Sequence, residues 1–325
     1  TAASSSVRQF TGRHVTQYRE AISLAIACAR SLSGSAAELK VLMVGNSFSL
    51  SVLTYLPKIA EASGKKLKLG EAMIGSCTIW RHYGEYGKTE KDPSHRPYWT
   101  NLKLPGRPDG KVSLQDLLTA DRWDIVTIQQ ASHESWRGET FEGAPKLIAL
   151  IRKHQPQTEI VIQQTWSYRS DDSRVMPPDS EWGFDQNTMY EKLTANYLAL
   201  AKSIHARVIP TGLAVQIARE KSPVKFKNYD PALLGTLHFP DLPPQAGDVV
   251  GRLYWSKDQK TGEMRIIRDA MHLNDRGEYL QACVWYLFLF GGTAEDIRFV
   301  PNSIGNSDAR FLARCAEDAV KSFPK

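Results

Sequence analysis

The chain has 325 residues, 42% of them hydrophobic, and a formal net charge of +6. That length suits one large α/β domain with a full core, and no apolar run is long enough to span a bilayer. The positive charge is spread along the chain, with no basic tract interleaved with aromatics and no nucleic-acid motif, so it reads as a solvated surface.

Arg13, His14 and Arg19 precede a short apolar stretch, Ala21 to Ala29, and small residues follow from Ser31 to Ala37. This order resembles a secretory signal peptide with its cleavage region near Ala37, and it carries the expectation of a secreted or periplasmic protein. Arg30, at the end of the apolar run, supports the competing reading of an amphipathic leader helix on a cytoplasmic protein. Either way residues 1–38 form a leader, and residues 39–325 form the folded domain.

From Leu39 strand and helix patterns alternate. Leu39 to Val44 is a short apolar run of the buried-strand kind, ending in Gly45-Asn46-Ser47. Val52, Leu53, Leu56, Ile59 and Ala60 repeat at helical spacing, with Pro57 as a kink or an early helix position and Gly64 as the C-cap. Leu67 to Ile74 predicts a second strand, Tyr83 to Gly110 a surface loop, and Asp124 to Gln129 a third strand. Leu147 to His154 closes a helix, and Glu159 to Thr165 is a fourth strand. Asn187 to Ile204 is a long helix, and Ala206 to Pro210 a short fifth strand. Residues 221 to 268 break the rhythm, with Asp248–Trp255 and Glu263–Arg268 pairing as a hairpin insertion across Lys257 to Gly262. Asp275 then opens a helix with Glu278 in a capping box, a buried stripe of Leu280, Val284, Leu287 and Phe288, and a stop at Gly291. A last helix runs from about Asp308 to Val320. The alternation predicts a three-layer α/β/α fold around a parallel five-stranded sheet. Such sheets bind ligands at the carboxyl ends of their strands, where Ser47, Gly75, Gln129 and Trp166 stand.

The chemistry rests on two motifs. A serine at a strand-to-helix turn exposes its hydroxyl at the sheet edge, and the helix start turns N–H groups toward the same point. Taken alone, Gly45-Asn46-Ser47 reads as a turn whose serine caps a helix. Asp269-Ala-Met-His272 supplies what a nucleophile needs: a base to take its proton, and a carboxylate to hold that base in one tautomer. Alone, this motif too reads as a capped turn with a satisfied histidine. Together, at opposite ends of an α/β domain, the two motifs form a rare combination.

With these residues the chain resembles the SGNH/GDSL hydrolase superfamily over roughly residues 39–292. Gly45-Asn46-Ser47-Phe48 matches the nucleophile block, Gly75 in Ile74-Gly-Ser-Cys the second block, and Asp269 to His272 the last block. The third block departs from the family's G-x-N-D and reads Ile128-Gln129-Gln130-Ala131-Ser132. The match is to a branch with G-N-S-F in the first block and a glutamine after the third strand. The resemblance implies a flavodoxin-like fold and a serine esterase. Ser47 is then the nucleophile, His272 the base and Asp269 its orienter. The oxyanion hole consists of the N–H groups of Ser47 and Gly75 and the side-chain amide of Gln129, with Gln130 as the fallback.

Trp80, Gln130, Trp136, Trp166 and Tyr168 follow strand ends and are candidate substrate-binding residues; the aromatics among them suit stacking on sugar rings. The arginines nearby invite uronic acids or sulfates. Ordinary loop packing is the competing reading for all of them. His82, His133 and His238 fit no metal-ligand spacing, no C-x-x-C pair occurs among Cys28, Cys77, Cys283 and Cys315, and no metal or cofactor is expected. Cys283 reads as a small core residue. The expected substrate is a small-molecule or polysaccharide ester, most simply an acetyl ester on carbohydrate. A lipase or thioesterase is the alternative, though polar, aromatic loops do not suggest an acyl channel. The altered third block keeps open a non-catalytic glycan-binding protein.

Overall fold

Two-sided burial organises the centre of the molecule. In the computed structural model, which describes residues 37–107 and 109–324, strands β1 (Leu39–Gly45), β5 (Ile125–Ile128) and β6 (Glu159–Gln163) are buried on both faces over nearly their whole length. Such continuous apolar strands need helices on both sides. The expected leader lies, but for its last two residues, outside the described residues.

The remaining strands are β2 (Leu67–Met73), β3 (Tyr98–Trp99), β4 (Lys111–Val112), β7 (Arg207–Ile209), β8 (Val250–Lys257) and β9 (Met264–Leu273). The main sheet has the order β4-β3-β2-β1-β5-β6-β7. The pairs β1/β5, β5/β6 and β6/β7 are parallel, while β2/β3 and β3/β4 are antiparallel. The sheet is thus the expected five strands widened by two short ones at an edge.

The helices are α1 (Ser47–Leu50), α2 (Val52–Ala62), α3 (Ile79–Lys91), α4 (Leu114–Thr119), α5 (Ala144–His154), α6 (Gln186–Ile204), α7 (Thr211–Lys221), α8 (Asp275–Phe290) and α9 (Asn306–Ser322). Helices α2, α7, α8 and α9 pack on one another, and α3, α4 and α5 do the same, giving the three-layer α/β/α arrangement. Pro57 sits inside α2. Gly70 has no room for a side chain: a Cβ would stand 2.7 Å from the Trp123 ring.

Three expectations change. Tyr83–Gly110 is not simply a surface loop, because it holds most of α3 and strand β3. Helix α3 is capped by Thr78, whose side chain accepts from Arg81 N, and it buries His82, Glu85, Tyr86 and Thr89. Its buried face is largely polar, so no apolar period announced it. Helix α8 begins at Asp275, but its cap is Asn274, which accepts from Gly277 N, rather than Asp275 with Glu278 in a capping box. Residues Tyr279 to Leu287 of α8 are all buried, so α8 is a core helix rather than a striped one; Phe288 is only half-buried.

The inserted hairpin pairs antiparallel as β8 and β9. It extends to Leu273, so Asp269 and His272 lie on strand β9 rather than on a loop.

Candidate active site

The sheet order reverses direction between β1 and β5, and the crevice at that switch is where the carboxyl ends of parallel strands leave room for a ligand. Ser47 follows β1 and Gln129 follows β5 at this point. Asn46 caps α1, its Oδ1 accepting from Phe48 N at 3.0 Å, and Ser47 is the first helical residue. The first N–H groups of a helix have no intrahelical partner, and they concentrate positive potential beside the Ser47 hydroxyl.

Strand β9 brings His272, 225 positions along the chain from Ser47, and Asp269 to this point. Ser47 Oγ stands 2.8 Å from His272 Nε2, and His272 Nδ1 stands 3.0 Å from Asp269 Oδ2. Asp269 Oδ1 also accepts from the backbone N–H groups of Met271 and His272, at 3.1 and 3.0 Å. Burial pushes this carboxyl up, but the hydrogen bonds from the His272 ring and backbone, its charge and the Met271 N–H outweigh burial. Asp269 is held well below the usual carboxylate range. An ionised Asp269 accepts a hydrogen bond from Nδ1–H, which fixes the tautomer and leaves Nε2 to accept from Ser47.

Two anchors hold the end of β9. Trp166 Nε1 donates to Met271 O at 2.9 Å, and Arg169 N donates to Ala270 O at 2.8 Å. The Trp166 ring also stacks on Phe48 at 4.1 Å with 5° between planes, and the Phe48 ring meets the His272 ring edge-on at 5.5 Å. Trp166 therefore couples the Ser47 turn to the strand bearing His272. The carbonyl of Phe48 is itself fixed by Gln163 Nε2 and Gln281 Nε2, each at 2.9 Å.

Several expected binding residues take other roles. Trp166 and Tyr168 are both 0% exposed, so neither offers a face to a sugar. Tyr168 hydrogen-bonds Ser132 through its hydroxyl, and Arg174 lies 4.2 Å over its ring. Gln130 is buried, accepting from the N–H groups of Ile79 and Ala131 and donating to Thr140 O, so it braces loops. Gln129 is 2% exposed and donates through Nε2 to Asn46 Oδ1 at 2.7 Å. Its amide meets the residue before the nucleophile rather than standing free at the pocket. Asn46 Nδ2 in turn donates to Cys77 O at 3.1 Å, tying the Ser47 turn to the loop that carries Gly75. Gly75 is exposed on that loop.

Trp80 is exposed but lies against Gly143 at the start of α5, with Lys146 Nζ 4.8 Å over its ring. Trp136 joins a cluster with Trp182 and Phe184. Arg169, one of the arginines near these strand ends, is buried in an ion pair with Asp171 and is not open to an acidic sugar. His82 is buried with Nδ1 3.0 Å from the Tyr98 hydroxyl, and burial together with the Arg81 charge pulls it down to about 3. Among the described residues no group of three His, Cys, Asp or Glu side chains is placed to hold a metal.

Sequence reasoning missed Asn46, Glu71 and Ser49 as site supports. The Glu71 carboxyl is buried under the turn and pushed well above its ordinary value by desolvation, and Ser49 Oγ lies 2.9 Å from it. A lone acid in a strand offered no signal of this.

The family model for a domain of unknown function, DUF4886, matches residues 40–230. Ser47, Gly75 and Gln129 fall inside that segment, and Asp269 and His272 beyond it. No curated protein matches the chain. Among solved structures it is similar to a DUF4886 family protein from Bacteroides uniformis, at 23% identity and a TM-score of 0.65, over 88% of this chain and 96% of that one. It is also similar to a candidate GDSL-like lipase from Parabacteroides merdae, at 12% identity and a TM-score of 0.42, over 76% and 94% of the two chains. A candidate SGNH hydrolase from Slackia heliotrinireducens gives 16% identity and a TM-score of 0.40, over 77% and 97%.

Proposed function

The chain belongs to the DUF4886 family, and we propose that it is a serine esterase acting on acyl esters, most simply acetyl groups on carbohydrate. One observation carries this reading: the unbroken chain Ser47 Oγ, His272 Nε2, His272 Nδ1, Asp269 Oδ2 at the switch point of the sheet. A satisfied loop histidine needs no serine at its far nitrogen, and a helix-capping serine needs no imidazole.

In the reaction Ser47 Oγ attacks the acyl carbonyl as His272 Nε2 takes its proton. The carbonyl oxygen becomes an oxyanion facing the N–H groups of Ser47 and Gly75. Gln129 and Asn46 hold these two donors in register, because Asn46 joins the Ser47 turn to the Cys77 loop. His272 then passes its proton to the departing alkoxide oxygen, and water repeats the sequence to free the acid and Ser47. Asp269 stays ionised throughout and keeps the imidazole in one orientation.

Wild type is expected to hydrolyse p-nitrophenyl acetate and to be labelled by a fluorophosphonate. Ser47→Ala is expected to lose turnover by on the order of 10⁴-fold or more, and to lose labelling. Absence of both turnover and labelling in the wild type overturns the esterase reading and leaves a non-catalytic glycan-binding protein. Acetate release from acetylated polysaccharides, compared with hydrolysis of long-chain esters, separates a carbohydrate esterase from a lipase.

A further inference from the structure

A cleft of about 450 Å³ opens beside His272, and two separate segments line it. The hairpin contributes Tyr254 and Arg268; the stretch after β6 contributes Asp172, Arg174 and Glu181. The sequence pointed to Trp166 and Tyr168 in the second segment, but to none of these five residues.

The register of the hairpin explains its side of the cleft. Arg252 pairs with Asp269 and Tyr254 with Ile267, and side chains of opposed and alternate residues share a face. Tyr254 therefore stands on the same face as Asp269, while Arg268, opposite Leu253, lines the cleft from the other face of the hairpin. It is 42% exposed, with Arg252 Cζ 5.6 Å over its ring. The other segment is held rigid by its own bonds. Arg174 makes a two-toothed pair with Asp172, Glu181 N donates to Ser173 O, and Trp182 N donates to Arg174 O.

The position of the cleft assigns its contents. The oxyanion sits toward the N–H groups at Ser47 and Gly75, whereas the alkoxide oxygen departs within reach of His272 Nε2. A cleft lined by His272 thus faces the leaving alcohol. Its chemistry is mixed. Three carboxylates, Asp172, Glu181 and Asp269, face two guanidinium groups, Arg174 and Arg268. Arg174 is committed to Asp172, and Asp269 to His272. Glu181 Oε1 accepts from Ser173 Oγ, which leaves its Oε2, and Arg268, whose charge also reaches Asp171, adds a donor-rich group beside an exposed aromatic ring. With no surplus of positive charge, the cleft suits hydroxyl groups better than a carboxylate or sulfate.

We propose that this cleft is the leaving-group subsite and that it takes a neutral, hydroxyl-rich alcohol, a sugar ring stacked on Tyr254 and hydrogen-bonded by Arg268 and Glu181. This rests on the esterase reading. When the acyl–serine bond forms, the bond from the acyl carbon to the sugar oxygen breaks, and the proton on His272 Nε2 moves to that oxygen.

The test compares three esters: vinyl acetate, whose two-carbon leaving group is too small to reach Tyr254; a monoacetylated methyl glucoside; and the matching monoacetylated methyl glucuronide. Wild type is expected to favour the glucoside over the glucuronide. Tyr254→Ala and Arg268→Ala are each expected to lower kcat/KM on the glucoside about 5- to 10-fold, mainly through KM, and to leave vinyl acetate turnover unchanged. Equal losses on glucoside and vinyl acetate, no loss on either, or a wild-type preference for the glucuronide overturns the subsite while the esterase stands. Absence of Ser47-dependent turnover on every ester removes the esterase reading and the subsite together.

Discussion

Asp269 is asked to accept three N–H groups and to remain charged while doing so. Three donors on one carboxylate make the ionised form strongly preferred, despite its partial burial. Asp269→Asn preserves the shape but presents an amide that favours the wrong imidazole tautomer. Its kcat is expected to fall by roughly 10³- to 10⁴-fold with little change in KM, measured on p-nitrophenyl acetate. The sign of the accompanying pH effect follows from linkage. A carboxyl whose folded pKa lies below its unfolded value contributes stability that is complete above about pH 4 and fades as pH falls toward the folded value. The stability gap between wild type and Asp269→Asn, from denaturant melts, is therefore expected to be largest at neutral pH and to narrow below about pH 4. A gap that widens on acidification contradicts this account.

The hairpin is the element on which the site depends. It has no place in the main sheet, yet it carries both His272 and Asp269, so its seating decides whether they meet Ser47. Gly251 lies at the bulge between Val250 and Arg252, opposite the Asp269 end of β9, with φ +83. A Cβ there would stand 2.8 Å from Arg169 Cζ, and Arg169 N holds Ala270 O. Gly251→Ala is thus both strained and crowded. It is expected to cost about 1–3 kcal/mol in a denaturant melt and to lower kcat about tenfold or more, because the hairpin shifts away from the nucleophile. Unchanged kcat would show that the hairpin is seated by other contacts. Helix α3 gives a converse lesson. Its buried face carries His82 and Glu85, with Glu85 paired to His95 and Lys88, and Gly84 and Gly87 lie within it. Local propensity argued against this helix, and packing overrode it.

At the scale of the whole molecule, stability and site geometry share one core. Helix α8 is capped by Asn274, two residues after His272, and passes through the layer formed with α2, α7 and α9. Gln281 on this helix reaches the Phe48 carbonyl, so the packing of α8 sets the depth of both the Ser47 turn and the end of β9. Leu280 is buried in that layer. Leu280→Ala is expected to cost about 2–5 kcal/mol in chemical denaturation. Leu233→Ala, at a 40% exposed position, is expected to change stability by no more than about 0.5 kcal/mol. Comparable losses at the two sites would contradict the placement of the core.

The sequence by itself determined what depends on neighbours along the chain. The run from Leu39 to Val44 followed by Gly45-Asn46-Ser47 places a serine at a strand end. The three-residue spacing of Asp269 and His272 lets one carboxylate meet both the ring and the backbone N–H groups beside it. Alternation of apolar runs fixed the layered α/β class for the same reason, since the period of burial is local. Only the tertiary structure decided what long-range neighbours do to polar and aromatic side chains. Gln129 finds Asn46 across 83 positions and Trp166 finds Met271 across 105, and these partners turn two expected pocket residues into buried supports. Tyr254 gained its place beside the triad only through strand register. A hydrogen bond or a stacked ring stabilises a side chain wherever its partner is brought, and the partner's arrival is a property of the fold rather than of the local pattern.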